Sequence, residues 1–334
     1  MKICLHPSGI KIAQKSGIGV AYQHQKKALE KAHIPCVDSM AQADIVQINT
    51  IFPASYRAAK KARRLRKKIV YYAHSTMEDF QNSFTGSNLV APVFKKWIIA
   101  CYRTADVILT PTPYSKQLLE SYHIGPPILA LSNGIDLDLY DRTKIDAMAF
   151  RKRHGLSEKT PLVLGVGHYI QRKGILDFIQ CAKRLPGVQF YWFGYTAPSL
   201  VPSEIRNAMA DKPDNLHFPG FIDPEKLREA YVGADLFFFP TFEETEGIVL
   251  LEAMALETPI LVRDISIYET MLPANQTVYK GKSVEEFVQK ISLMLRGKLP
   301  SLTDQAYESV KKVSLESMGQ KLKEIYHRLL EESC

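Results

Sequence analysis

The stretch Ala234-Asp235-Leu236-Phe237-Phe238-Phe239-Pro240-Thr241-Phe242-Glu243-Glu244-Thr245-Glu246-Gly247-Ile248-Val249-Leu250-Leu251-Glu252-Ala253-Met254-Ala255 runs from apolar, through acidic, to helix-forming residues. Leu236–Phe239 reads as a buried strand. A buried strand that empties into an acidic loop and then a helix is where an open α/β sheet places its ligand. Glu244 falls in the loop at the carboxyl end of that strand, and Glu252 about one turn into the helix that Gly247 opens. Both carboxylates then face one crevice. Carboxylates accept strong hydrogen bonds from hydroxyls, so the pair suits a ligand carrying a ribose and a hexose. The competing reading is a solvated acidic loop.

Outward from this stretch, short apolar runs alternate with segments of helical periodicity. Strands are expected at 2–6, 45–48, 69–73, 107–110 and 128–131, then at 162–166, 189–193, 216–218, 236–239 and 260–262. Helices are expected at 18–31, 54–66, 93–103 and 115–122, then at 175–185, 224–232, 247–255, 284–295 and 314–330. That alternation predicts an α/β protein with two doubly wound, parallel-sheet, Rossmann-like domains. Leu131-Ser132-Asn133-Gly134-Ile135-Asp136 supplies turn chemistry between them. The expected division is 1–133, 134–312 and a terminal segment 313–334.

At 334 residues and 46% apolar content the chain is long enough for two cores. Its cysteines, Cys4, Cys36, Cys101, Cys181 and Cys334, are scattered and lack metal-ligand spacing, which suits a reducing compartment. No charged-then-apolar leader precedes Lys2–His6, and no apolar run reaches bilayer length. A cytoplasmic protein with at most peripheral membrane contact is expected. Residues 1–135 carry 18 Lys and Arg against 7 Asp and Glu, while 136–334 carry 25 against 28. The basic half implies a polyanionic partner, either nucleic acid or anionic lipid.

Two further loops suit phosphate. Ser16-Gly17-Ile18-Gly19 follows the first strand and opens a helix, so Gly17 and Gly19 are candidate anion-binding positions, against the alternative of a plain tight turn. Gly165-Val166-Gly167-His168-Tyr169-Ile170-Gln171-Arg172-Lys173-Gly174 ends in an arginine fork and a lysine at a helix start. A departing diphosphate needs that combination. His168 lies in the same loop, and the backbone at Glu246, Gly247 and Ile248 is placed to meet the same group.

Together, Asn133-Gly134-Ile135-Asp136, Gly167 through Gly174, Gly220-Phe221-Ile222, and Glu244 with Glu252-Ala253-Met254-Ala255 and Pro259 resemble the retaining nucleotide-sugar glycosyltransferases of family four, with the GT-B fold. The resemblance spans nearly the whole chain. It implies a UDP-sugar donor with Glu244 at the sugar, Glu252 at the ribose, Arg172 and Lys173 at the diphosphate, and Phe221 beside the base. It also implies that His74, in Ala73-His74-Ser75, is the active-site histidine, and that the last helix returns to the first domain. Two features depart from the family: His168 stands where many relatives have arginine, and Thr245-Glu246 where many have Gly-Phe. No resident cofactor or metal is implied.

Lys60, Lys61, Arg63, Arg64, Arg66, Lys67 and Lys68 form a dense basic run. Phe94, Lys95, Lys96 and Trp97 have the composition of a helix in a membrane interface; a core helix with exposed lysines reads the same. No basic groove interleaved with aromatics accompanies them, so an anionic membrane surface is favoured over nucleic acid. His74-Ser75-Thr76-Met77-Glu78-Asp79-Phe80 and the basic first half resemble the Gram-positive glycolipid glycosyltransferases that build diglycosyl-diacylglycerols, the anchors of lipoteichoic acid. The expected activity is α-retaining transfer of glucose or galactose from a UDP-hexose to a glycolipid acceptor such as monoglucosyl-diacylglycerol, at the cytoplasmic face of the membrane. Transfer to a soluble or polyprenyl-linked glycan and a non-catalytic nucleotide-binding scaffold are the alternatives.

Overall fold

Every apolar run expected to be a strand is one in the computed structural model, which describes residues 1–10, 16–84 and 86–331. Cys334 lies outside the described residues. The first sheet holds β1 (Ile3–His6), β2 (Ile45–Ile48), β3 (Lys68–Tyr72), β4 (Val107–Thr110) and β5 (Ile128–Ala130) in that spatial order. Cys36 bridges to Ile3 on the other edge of β1, so the chain reverses its direction of winding beside β1. The second sheet holds β6 (Leu162–Val166), β7 (Gln189–Phe193), β8 (Leu216–Gly220), β9 (Leu236–Phe239), β10 (Ile260–Arg263) and β11 (Tyr279–Gly281), ordered β11-β10-β9-β6-β7-β8. All the ladders between these strands are parallel. The fold is α/β with two parallel sheets.

β6 and β9 are neighbours although two strands separate them in sequence. Their outgoing loops therefore diverge, and the crevice between is the ligand position of an open sheet. Gly167–Gly174 and Pro240–Gly247 form its two walls.

Sequence periodicity missed β11, whose Tyr-Lys-Gly has no apolar run, and the helices Met77–Phe80, Ala149–Arg153, Ser203–Ala210, Ile267–Met271 and Thr303–Lys311. Most of these helices are too short to repeat an apolar stripe. The helix expected from residue 93 begins at Ser87 and runs through Pro92, which is exposed.

Ile3, Leu5, Ile45, Val70 and Tyr72 of the first sheet share a core with Ala28 and Leu29 of the helix Gly17–Lys31 and with Leu315, Met318, Leu322 and Tyr326 of the helix Leu315–Glu331. The last helix thus packs on the first sheet. A polar ladder crosses this face: the Tyr326 hydroxyl donates to Gln47 Oε1, and Gln47 Nε2 donates to Gln25 Oε1 at 2.6 Å.

The chain passes between the sheets twice, side by side. Ile135 N donates to Val313 O and Leu315 N to Ile135 O, both at 3.0 Å. At Gly134, φ is +75° and a Cβ would lie 2.9 Å from Leu315 Cδ2, so the crossing requires glycine.

Candidate active site

Glu244 is buried, and its Oε1 accepts from the Lys173 ammonium and, at 3.0 Å, from Thr241 Oγ1. Burial alone would raise its pKa, but Lys173 and Arg172 outweigh that and hold it below the ordinary carboxylate value. Two motifs that are far apart in sequence therefore form one ion pair at the β6/β9 crevice. The residue after Lys173, Gly174, adopts φ +73°.

Arg172 bridges the two sheets. Its Nη1 lies 2.8 Å from Asp79 Oδ1 and 2.8 Å from the Glu243 carbonyl, and its Nε is 3.3 Å from Ser83 Oγ. Its backbone N donates to Asn82 O at 3.2 Å.

The acidic run is tied to the first domain at several points. Tyr114 donates to Glu243 Oε2 at 3.1 Å, Thr112 Oγ1 to Thr245 O at 2.9 Å, and Asn133 donates to Glu246 Oε2 through N at 3.0 Å and Nδ2 at 2.7 Å. Glu246, expected on the donor side, turns its side chain to the interdomain crossing. Gly247, at φ +86°, caps the helix Ile248–Ala255 and leaves its first amides facing the loop. Glu252 sits in that helix and accepts from Tyr140 at 2.7 Å and Tyr231 at 3.2 Å. The two glutamates thus have different surroundings: Glu244 beside cations, Glu252 beside phenols.

Burial raises Glu243, Glu246 and Glu252 to about 7 each. In the unfolded chain these groups titrate near the ordinary glutamate value of about 4.3. Between roughly pH 4.5 and 7 the folded chain therefore binds more protons, and these groups stabilise it at the acid end and lose that contribution as pH rises. Glu246→Gln is expected to gain stability relative to wild type across that window, by on the order of 2 kcal/mol, as measured by urea unfolding at pH 5 and pH 7.5. A difference independent of pH would contradict a protonated Glu246.

His74 follows β3, stacks on Tyr72 with ring centroids 4.8 Å apart, and is buried. Burial lowers it to about 3, so its imidazole is neutral, and its Nε2 has no hydrogen-bond partner among the described residues. His168 Nδ1 lies 2.6 Å from Tyr195 O. Phe221 is half exposed just beyond β8, while Gly17 and Gly19 lie in the first turn of the helix Gly17–Lys31. Tyr140, Tyr231, Tyr114 and Thr241 were not singled out from sequence. Nothing local distinguishes a tyrosine that meets a carboxylate from one in a core.

The chain matches the family models described as Glycosyltransferase Family 4, over residues 22–139, and Glycosyl transferases group 1, over residues 146–313. It is 39% identical over 334 residues to the processive diacylglycerol alpha-glucosyltransferase of Acholeplasma laidlawii, covering 99% of each chain. The chain belongs to glycosyltransferase family four. This glycosyltransferase is also 26% identical to the alpha-galactosylglucosyldiacylglycerol synthase of Streptococcus pneumoniae, across 98% of this chain and 88% of that one. Its fold matches that of Anabaena HepE in complex with UDP and glucose, with a TM-score of 0.77 at 16% identity over 98% and 99% of the two chains.

On the first domain of the glycosyltransferase, Lys60, Lys61, Arg63, Arg64 and Arg66 are exposed and Lys67 and Lys68 half-buried, with Arg63 paired to Asp106 at 2.7 Å. The aromatic residues expected at a membrane interface point elsewhere. Phe94 stacks on Phe80 at 3.9 Å, Trp97 Nε1 donates to Ile51 O at 2.7 Å, and Lys95 lies over the Tyr122 ring at 4.0 Å. The exposed apolar face of that helix is instead Leu89 (87%), Val90 (47%) and Val93 (65%), with Lys96 beyond it. Phe94 and Trp97 are partly buried at the margin of the core, Phe94 against Phe80 of the helix after β3 and Trp97 against Tyr56 and the Ile51 carbonyl after β2. No helix among the described residues is long and apolar enough to cross a membrane.

Proposed function

We propose that the enzyme transfers glucose from UDP-glucose, with retention of the α configuration, to diacylglycerol and to its monoglucosyl product at a membrane surface. The observation that carries this reading is full-length identity of 39% to a protein named a processive diacylglycerol alpha-glucosyltransferase. The site's chemistry supports it. Arg172 and Lys173 take the diphosphate, and the amides at Glu246, Gly247 and Ile248 assist at the helix start. Glu252 accepts the ribose hydroxyls and Phe221 lies beside the base. Glu244 is already committed to Lys173 and Thr241, which suits it to accept from a hexose hydroxyl rather than to act as a free nucleophile. His74, neutral and with its Nε2 unpartnered among the described residues, offers a hydrogen bond to the sugar. Closure of the first domain over the crevice, through Arg172–Asp79 and Asn133–Glu246, excludes water that would hydrolyse the donor.

Leu89, Val90 and Val93 provide an apolar edge for the acyl region of the membrane, and the basic run supplies attraction to anionic headgroups of about 1 kcal/mol per cation. The basic helix meets the far, C-terminal end of the helix that carries this edge, where a cavity of about 370 Å³ is lined by Tyr56, Lys60, Arg63, Ala100 and Arg103.

The test is labelled transfer from UDP-glucose and UDP-galactose into vesicles carrying diacylglycerol or monoglucosyl-diacylglycerol, with the product anomer read by NMR. Glucolipid of α configuration is expected, together with flotation on anionic but not neutral vesicles. Absence of labelled lipid with either donor and either acceptor overturns the reading.

A further inference from the structure

Asn49, the residue after β2, has no role in the contacts described so far. It is 2% exposed, yet neither its Nδ2 nor its Oδ1 has a hydrogen-bond partner among the described residues. Burying an amide without partners costs roughly 1–3 kcal/mol per unpaired group, and buried polar groups in native proteins are nearly always bonded. An amide left this way is prepared for something the described residues do not supply.

Strand alternation and register place it. Ile45 packs on the same face as Ile3, Val70 and Tyr72, whereas Val46 and Ile48 pack on the opposite face with Ile69 and Tyr71. Asn49 therefore continues the face of Ile45 and Gln47. Because Ile48 pairs with Tyr71, Asn49 is level with Tyr72 and diagonal to His74, whose ring stacks on Tyr72. The ladder Tyr326–Gln47–Gln25 runs up this face but ends at Gln25, whose Nε2 is itself unpartnered, so it leaves Asn49 unsatisfied. Asn49 and His74 Nε2 are thus neighbouring orphaned groups at the carboxyl edge of β2 and β3. That edge adjoins β1, where the winding of the first sheet reverses and an open sheet takes its ligand.

We propose that Asn49, together with His74, holds a hydroxyl group of a sugar substrate. The inference rests on the glycosyl-transfer reading above. An amide offers one donor and one acceptor side, which matches a hydroxyl. A hydroxyl suits the pair better than a phosphate, because both groups are neutral and neither supplies the cation that a buried anion demands. The hydroxyl comes either from the transferred hexose or from the sugar of a glycosylated acceptor.

The experiment compares wild type, Asn49→Ala and the isosteric Asn49→Asp for kcat/KM with UDP-glucose, with its 2-, 3-, 4- and 6-deoxy analogues, and with deoxy analogues of monoglucosyl-diacylglycerol. UDP affinity by calorimetry reports that each variant is folded. Asn49→Ala is expected to lose about 10- to 100-fold with intact substrates, the loss of one buried hydrogen bond to substrate. With one deoxy analogue, variant and wild type should converge, and whether that analogue is donor or acceptor identifies the source. Asn49→Ala with wild-type kcat/KM, or with the same fold-loss on every analogue, overturns the proposal. A wild type that transfers no sugar from any UDP-hexose sinks the functional reading itself, whereas an active wild type with an indifferent Asn49→Ala sinks only the hydroxyl site.

Discussion

Lys173→Ala is expected to lower kcat for glucosyl transfer by about 100- to 1,000-fold, the range for removing one preorganised group that stabilises charge developing on a leaving group. Its ammonium is placed by the loop after β6, and Glu244, from the loop after β9, holds it in position. In the proposed site negative charge grows on the departing oxygen as the bond from the sugar to the diphosphate breaks, and a cation fixed beforehand next to it would need no reorganisation. The variant also leaves Glu244 buried beside an empty partner position, and breaking a buried pair from one side costs about 3–5 kcal/mol. Lys173→Ala combined with Glu244→Gln removes both charges. It should recover stability in urea unfolding while kcat stays low. If the double variant recovered turnover together with stability, the lysine would have a structural role only.

The apolar strands were legible because a strand buried on both faces needs an unbroken apolar run, and Leu236-Phe237-Phe238-Phe239 or Leu162-Val163-Leu164 are little else. β11 was not, since Tyr279-Lys280-Gly281 borrows its burial from the helix Val284–Leu295 and the edge of β10. Within the site, Arg172, Lys173 and Glu244 could be proposed from the loops that carry them, but the pairing of Lys173 with Glu244 could not. It depends on β6 and β9 being neighbours, a property of strand order. Tyr140 and Tyr231 at Glu252, Asn133 at Glu246 and the orphaned Asn49 depend likewise on contacts between distant segments. The helix Ser87–Tyr102 marks another boundary. An amphipathic helix shows which residues are apolar, while which of them meet a core and which meet solvent follows from the neighbours, and here the neighbours claimed Phe94 and Trp97.

Gly174→Ala is expected to reduce kcat/KM by about 100-fold and to destabilise the chain by well over the 1 kcal/mol or so that a positive φ costs alone. At Gly174 a Cβ would stand 2.2 Å from the Pro240 carbonyl oxygen and 2.7 Å from its carbon. Both are backbone atoms, so no side-chain rotation relieves the overlap, and one loop has to move by about an ångström. Gly174 ends the loop that carries Arg172 and Lys173, and Pro240 begins the loop that carries Glu243 and Glu244. Movement at this contact therefore separates the two halves of the Lys173–Glu244 ion pair of the proposed donor site, and a misplacement of that size is enough for a loss of about 100-fold. Gly187→Ala is the matched control, because a Cβ there meets nothing within 4 Å. It should leave both kcat/KM and the unfolding midpoint unchanged. A Gly174→Ala enzyme with wild-type kcat/KM would show that the spacing of these two loops does not set the rate.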